Sequence, residues 1–315
     1  MLQIYALRSG ILDALEVRPN VPPPTDLLWV DLLRPTEEER AWVARWFGDV
    51  LPSEQGIAEI EASSRCYQED SRTHVRSYLL HEGGDGLDTL TMAFVVADGR
   101  LFTVRPQDPL GWRTLLREAA TTRGLVDDPF SLMLRVFEAQ IDGLADMLEG
   151  LHKRLEQLGR RVFEARSRDL EGLIDAVASE RDTDDHVRLS LMDKERVLSY
   201  LLRRDLCPGA HLELLGEILR DIDSLSAHSE FLYERLDALM AEVIGRVSIE
   251  QNRIIKLFSV AAVVLLPPTF VASLYGMNFV HMPELDWPLG YPFALVLMIA
   301  SAIAPYMLFR SKGWL

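Results

Sequence analysis

Two long runs near the C-terminus contain no charged residue, and they constrain the fold of this 315-residue chain more than any other feature. The first, LFSVAAVVLLPPTFVASLY, covers residues 257–275, and the second, YPFALVLMIASAIAPYMLF, covers residues 291–309. Each is close to the roughly 20 residues that a helix needs to cross a bilayer. Two buried core helices are the rival interpretation, but a charge-free pair at the end of an acidic chain favours two membrane spans.

The basic residues near these spans predict an orientation. They precede the first span or follow the second, and the loop between the spans has none: Arg246, Arg253, Lys256, Arg310 and Lys312. Because positive residues stay on the cytoplasmic side, we expect both termini in the cytoplasm and the loop outside. The N-terminus lacks a basic stretch followed by a long apolar core, so no cleaved signal peptide is expected.

Composition excludes several classes of protein. The chain has 48 acidic against 33 Lys and Arg side chains and a net charge of −15, which disfavours nucleic acid as a partner and suits cations. Cys66 and Cys207 are far apart in sequence, so they indicate neither a disulfide framework nor a metal site. Phosphate-loop, HExxH, GxSxG and dinucleotide-binding motifs are absent from the sequence, so a membrane-anchored enzyme is the weaker alternative.

The part of the chain before the spans divides in two. Residues 1–125 predict an α/β domain, with a hairpin at Ser9-Gly10, a buried strand LLWVDLL, a helix capped by Thr36 and a turn at Asp98-Gly99. Residues 126–253 predict a bundle of long helices, because Gly and Pro become rare and apolar residues recur at three and four.

The third long helix of this bundle is expected to begin near His211 and to continue into the first span. The predicted fold is therefore an α+β cytoplasmic domain with a long helical stalk and two C-terminal transmembrane helices. The membrane domain covers 254–315, with spans near 257–275 and 291–309, an outer loop at 276–290 and a tail at 310–315.

One face of the first span collects its small and polar residues. They recur at heptad-like spacing: Asn252, Ile255, Ser259, Ala262, Leu266, Thr269, Ser273 and Gly276. Polar groups within a membrane face protein or water rather than lipid, although small residues also simply allow close helix packing. Two spans are too few to enclose a pore, so a pore on this face requires a ring of subunits.

Such a ring predicts a cation path. Neutral amide and carbonyl oxygens suit Mg²⁺, which prefers oxygen ligands and gives up its water reluctantly. Apolar rings at Ile255, Phe258 and Leu266 are expected to act as constrictions that close by dewetting. Pro267-Pro268 either contributes freed carbonyl oxygens to the pore or only bends the helix.

A set of distinctive motifs runs along the chain: YGMNF followed by MPEL, the KGWL tail, IEQNRIIKLFSV, LPPTFVAS, IEASSR, DGRLFTVR and LRDIDSL. Together they resemble the CorA family of magnesium transporters, its proteobacterial branch in particular. The resemblance covers the whole chain. It implies a funnel-shaped homopentamer in the bacterial inner (plasma) membrane that carries Mg²⁺, and also Co²⁺ and Ni²⁺, down the electrochemical gradient without nucleotide.

The resemblance also implies roles for individual residues. Asn278 is expected to hold the hydrated ion at the outer mouth, with Gly276 and Met277 completing the triplet. From their charge alone, the outer-loop acids Glu284 and Asp286 are expected to raise the local cation concentration rather than to bind an ion tightly. Five positions match pore-lining residues: Asn252, Ile255, Phe258, Leu266 and Thr269. Phe258 departs from the heptad face, on which Ser259 is favoured.

Gating by cytoplasmic Mg²⁺ bound between subunits is a further implication. The candidate ligands are acids of the HEGGDGLD segment and of the RDID segment on the long helix: Glu82, Asp85, Asp88, Asp221 and Asp223. Solvated surface acids are the alternative for each of them. Zinc transport, as in relatives within the same superfamily, is the alternative cargo; Met277 favours magnesium.

Overall fold

The computed structural model describes residues 1–18, 20–52, 65–69, 71–83, 86–164, 169–277, 282–283 and 287–313. Internal contacts divide the chain into two compact units. The first contains Met1–Glu164 and Glu171–Met240, and the second contains Ala241–Leu315.

Seven strands in the described part of the first unit form one sheet. They are β1 (Leu2–Arg8), β2 (Ile11–Leu15), β3 (Leu27–Leu33), β4 (Cys66–Glu69), β5 (Arg72–Gly83), β6 (Gly86–Ala97) and β7 (Arg100–Arg105). The strand order is β2-β1-β3-β7-β6-β5-β4. The β3–β7 pair is parallel, and the other neighbouring pairs are antiparallel.

The centre of the sheet explains the unbroken apolar run LLWVDLL. A strand covered on both faces has no solvent side and does not alternate, and six of the seven residues of β3 are buried. Its single acid, Asp31, is neutralised by Arg105 at 2.8 Å and accepts a hydrogen bond from Thr103 at 2.6 Å. The predicted buried strand is therefore confirmed.

Local turn and cap chemistry also agrees with the sequence. Ser9-Gly10 and Asp98-Gly99 have positive φ at both residues, as tight two-residue hairpins require, and they join β1 to β2 and β6 to β7. Thr36 caps the first helix, α1 (Glu37–Phe47), in a capping box with Glu39.

Five further α-helices follow in the described residues. They are α2 (Trp112–Thr121), α3 (Pro129–Glu164), α4 (Leu170–Arg203), α5 (Leu212–Tyr275) and α6 (Gly290–Ser311). A 3-10 turn at Gly209–His211 separates α4 from α5. The single helix α5 confirms the prediction that the third long helix continues into the first apolar run.

Strand β5 extends beyond its partner β4, and side chains from the long helices cover the edge that this leaves open. The Tyr78 N–H donates to Asp193 Oδ2 at 2.7 Å, and the Tyr78 carbonyl accepts from Lys194 Nζ at 2.9 Å. Two residues further on, the Leu80 N–H donates to Gln140 Oε1 at 3.2 Å. These bonds satisfy backbone groups of an edge strand and fasten α3 and α4 to the sheet.

Lys194 is fully buried, and burial lowers the pKa of its ammonium to about 7. Its hydrogen-bond partners are the Tyr78 carbonyl and the carbonyl and hydroxyl of Ser190. The neighbouring Asp193 instead pairs with Arg65 and accepts from the Ser77 hydroxyl at 2.8 Å. The covered edge of β5 therefore contains a desolvated ammonium held mainly by neutral oxygens.

Candidate functional site

Two helices of the second unit are long and apolar enough to span a membrane. They are the C-terminal part of α5 and the whole of α6, and only 6% of each apolar window is buried within the chain. A core helix of a soluble domain would be mostly buried. The exposure therefore favours lipid or other subunits as the environment of both helices.

The membrane part of α5 has one partly covered face. Its less exposed residues recur at intervals of three and four: Val260, Val264, Pro267, Pro268, Val271 and Tyr275. Val271 is the most buried of them, with 9% of its surface exposed. A matching stripe on α6 contains Ala294, at 8% exposed, and the half-buried Met298, Ala302, Pro305 and Phe309. The two stripes indicate that α6 packs on this face of α5.

The predicted pore-lining residues lie on the opposite face. At about 100° of rotation per residue, Thr269 and Val271 point about 160° apart, as do Leu266 and Pro268. Asn252, Ile255, Leu266 and Thr269 are all exposed in the single chain. This face is thus available for contact with other copies of the chain or with water.

Phe258 and Ser259 both belong to this exposed face. Relative to Ile255, Phe258 is rotated by about 60° in one direction and Ser259 by about 40° in the other. Phe258 is 69% exposed and Ser259 is also exposed. The difference between the two sequence-based assignments therefore needs no rotation or kink, because the two side chains flank the same line.

Pro267 and Pro268 lie inside α5 and lack the N–H groups that would bond the carbonyls of residues 263 and 264. Those carbonyls open toward the side of the prolines, which is the face that α6 covers. Between the two sequence-based alternatives, this placement favours a bend over additional pore oxygens. Thr269 remains a candidate oxygen ligand, because its hydroxyl donates to the Leu265 carbonyl at 2.8 Å and leaves lone pairs for a cation.

The C-terminal end of α5 closes at Gly276 and Met277, the first two residues of the Gly-Met-Asn triplet. The Gly276 N–H donates to the Ala272 carbonyl at 3.0 Å, and Met277 N–H reaches the Leu274 carbonyl at 3.4 Å. A Cβ at residue 276 would lie 3.1 Å from that same Ala272 oxygen, so glycine permits the tight helix end. Asn278, Glu284 and Asp286 lie outside the described residues.

The candidate regulatory acids separate into two groups. Glu82 lies near the end of β5 and lines an open groove with Glu118 of α2 and with Asp142 and Asp146 of α3. Burial raises the pKa of the Asp142 carboxyl, and the charges of Glu138, Asp221 and other nearby acids raise it further. Glu82 and Asp221, one from each candidate segment, therefore both lie near the Asp142 carboxyl.

The remaining candidates are placed differently. Asp88 and Asp223 are exposed and do not line this groove, and Asp85 lies outside the described residues. The sequence reasoning missed Glu118, Asp142 and Asp146. Their sequence signal is the row Glu138, Asp142, Asp146 at intervals of four, a like-charge spacing that costs helix stability. Among the described residues, no group of three or more His, Cys, Asp or Glu side chains is placed to hold a metal ion.

A family model described as CorA-like Mg²⁺ transporter protein matches residues 24–311. The magnesium transport protein CorA of Escherichia coli (strain K12) is 42% identical over 318 residues, covering 100% of both chains. The chain belongs to the CorA family. Because this is a family of membrane transporters, the prediction that the chain is not an enzyme is confirmed.

Solved structures support the same fold. The complete CorA magnesium transporter of Methanocaldococcus jannaschii matches with a TM-score of 0.80 at 19% identity, covering 100% of this chain and 99% of that one. The full-length CmaX protein matches with a TM-score of 0.71 at 17% identity, covering 99% and 98%. The predicted CorA-like architecture, a mixed sheet with long helices and two C-terminal apolar helices, is confirmed.

Proposed function

We propose that this CorA-family chain carries Mg²⁺ into the cell, down its electrochemical gradient, through a pore formed by five copies. The observation that carries the proposal is the two-faced first span. One face packs on α6, and the opposite face exposes the residues that the family resemblance assigns to the pore. Co²⁺ and Ni²⁺ are proposed as additional cargo, and no nucleotide is required.

The ion path is proposed to run from an outer Asn278 ring past Thr269, Leu266, Phe258 and Ile255 to Asn252. Neutral oxygens hold a hydrated cation weakly enough for release, and the apolar rings control hydration. The outer mouth is also the C-terminal end of α5, where the helix dipole is negative and favours an arriving cation. Gly276 and Met277 shape that end, and Glu284 and Asp286 raise the local cation concentration.

The orientation follows from the basic residues at the inner ends of both spans. We place both termini in the cytoplasm and the spans in the bacterial inner membrane. The domains are proposed as a cytoplasmic α/β domain over 1–125, a helix bundle and stalk over 126–253 and the membrane domain over 254–315.

Cytoplasmic Mg²⁺ is proposed to close the pore through the acidic groove. At low Mg²⁺ the like charges of Glu82, Asp142, Asp146 and Asp221 repel one another, and bound cations relieve that repulsion. A second subunit is proposed to supply further ligands, since the ion is held between copies. The exposed Asp88 and Asp223 remain candidates for that contribution, as does Asp85, which lies outside the described residues.

Proteoliposomes test the proposed transport. Purified chain is reconstituted with an internal Mg²⁺-sensitive dye and no nucleotide, and Mg²⁺, Co²⁺, Ni²⁺ and Zn²⁺ are added outside in turn. We expect dye signals with Mg²⁺ that depend on the ion gradient. Flux with Zn²⁺ but not Mg²⁺ would favour the zinc transporter, and no flux with any ion would contradict the proposal.

A further inference from the structure

Two histidines face each other across two long helices of the first unit. His152 on α3 and His228 on α5 have ring centroids 6.0 Å apart and planes inclined by 61°. At metal–nitrogen distances of about 2.1 Å and angles of about 90–110° between the two bonds, two imidazoles that share one ion have centroids about 4.5–5.5 Å apart. The pair therefore approaches the separation at which one ion links both rings.

The surroundings of His152 leave its coordinating capacity unused. Its Nδ1 is buried and has no hydrogen-bond partner among the described residues. Its Nε2 lies 3.7 Å from Glu156 Oε1, which is longer than a hydrogen bond. An unpaired buried imidazole nitrogen costs free energy, and a metal ion that accepts its lone pair removes that cost.

The site is reachable from solvent. The side chain of His152 is 36% exposed, and His228 is partly exposed. Although Nδ1 itself is buried, the exposed parts of both side chains bring water next to the pair, where it can complete the coordination of a bound ion. Glu156, close to His152 Nε2, adds negative charge and favours a cation over an anion.

We infer that His152 and His228 form a binding site for a divalent transition-metal ion, such as Ni²⁺ or Co²⁺, that links α3 to α5. Imidazole nitrogen is a good ligand for these ions and a poor one for Mg²⁺, which prefers oxygen. The pair thus differs in selectivity from the carboxylate groove around Asp142. The link joins α5, the helix that continues into the first span, to the bundle that packs on the sheet.

The inference stands apart from the proposed transport, because binding is measured without flux. Full-length protein is purified in detergent without a polyhistidine tag, stripped with a chelator, and dialysed to equilibrium against Ni²⁺ in excess Mg²⁺. Excess Mg²⁺ occupies oxygen sites and leaves the imidazole site to Ni²⁺. We expect His152→Ala and His228→Ala each to bind one Ni²⁺ fewer per chain, with at least a tenfold loss of affinity at this site.

His186→Ala is the matched control, because His186 lies on α4 and contacts Thr89 rather than another histidine. It is expected to bind as many Ni²⁺ ions as wild type. His152→Gln and His228→Gln, checked by gel filtration, give the same comparison if an alanine variant misfolds. Equal Ni²⁺ binding by wild type and the pair variants, or an equal loss in His186→Ala, would overturn the inference.

Discussion

Replacing the buried Lys194 by Met should stabilise the protein at pH 6 and lose that advantage as the pH rises. Burial lowers the pKa of this lysine from 10.5 to about 7, so the unfolded chain binds the extra proton between those values. Stability therefore rises with pH across that window in the wild type, and methionine abolishes this contribution. This pKa difference costs the folded state about 5 kcal/mol at pH 6 and about 2 kcal/mol at pH 9.

The net effect of the substitution is smaller than the ammonium term. Methionine leaves the Tyr78 carbonyl and the Ser190 hydroxyl without the Nζ donor, at a cost of about 1–3 kcal/mol. We therefore expect Lys194→Met to be about 3 kcal/mol more stable at pH 6 and close to wild type at pH 9. The difference between the two pH values, about 3 kcal/mol, is independent of the lost hydrogen bonds.

Guanidinium unfolding of the full-length protein in detergent, followed by tryptophan fluorescence, measures this difference at pH 6, 7.5 and 9. Lys153→Met is the matched control, because Lys153 is exposed and pairs with Glu149 on the helix surface. Its effect should be small and should vary little over this range. Parallel pH profiles for wild type and Lys194→Met would refute the argument that the buried ammonium titrates near neutrality.

Three further predictions use other buried or strained positions. Asp184→Asn should stabilise the protein by about 1–3 kcal/mol at pH 7.5 and by less at pH 5, because burial raises the pKa of this carboxyl to about 6 and its charge is costly above that value. The Ser229 hydroxyl that donates to Asp184 should remain bonded to the amide. Chemical unfolding of wild type and variant at both pH values checks this prediction. Gly276→Ala should keep the fold but reduce Mg²⁺ flux in proteoliposomes, since the added Cβ meets a carbonyl oxygen at 3.1 Å; wild-type flux would contradict this reasoning. Asp142→Asn should raise the thermal unfolding midpoint measured in chelator, because it removes charge from the acidic groove. For the same reason, added Mg²⁺ should raise the midpoint of the variant by less than it raises that of wild type. An equal rise in both proteins would contradict a role of the groove in gating.

The elements with strong local signals were predictable from the sequence. In each case a few residues specify the structure: the paired positive-φ residues Ser9-Gly10 and Asp98-Gly99, the Thr36 cap, and the charge-free runs. The exposed face of the first span was also predictable, because rotation along a helix depends on sequence spacing alone.

Long-range features were not predictable. The covering of the β5 edge by Asp193 and Lys194 joins residues more than 110 positions apart, and nothing near Tyr78 indicates it. The acidic groove likewise joins Glu82 to Asp142 through tertiary packing. Sequence patterns specify which face of an element is buried, whereas the partner on that face depends on the assembled fold.

Thiol modification of the exposed face of α5 tests the proposed pore most directly. Leu266→Cys and Ile299→Cys introduce reactive thiols on α5 and on the exposed surface of α6, while the native Cys66 and Cys207 are buried. A small, charged, membrane-impermeant thiol reagent is added to proteoliposomes in Mg²⁺-depleted buffer, and Mg²⁺ flux is then measured. The account predicts block in Leu266→Cys and wild-type flux in Ile299→Cys. Unchanged flux through modified Leu266→Cys, or block through Ile299→Cys, would contradict a pore lined by this face.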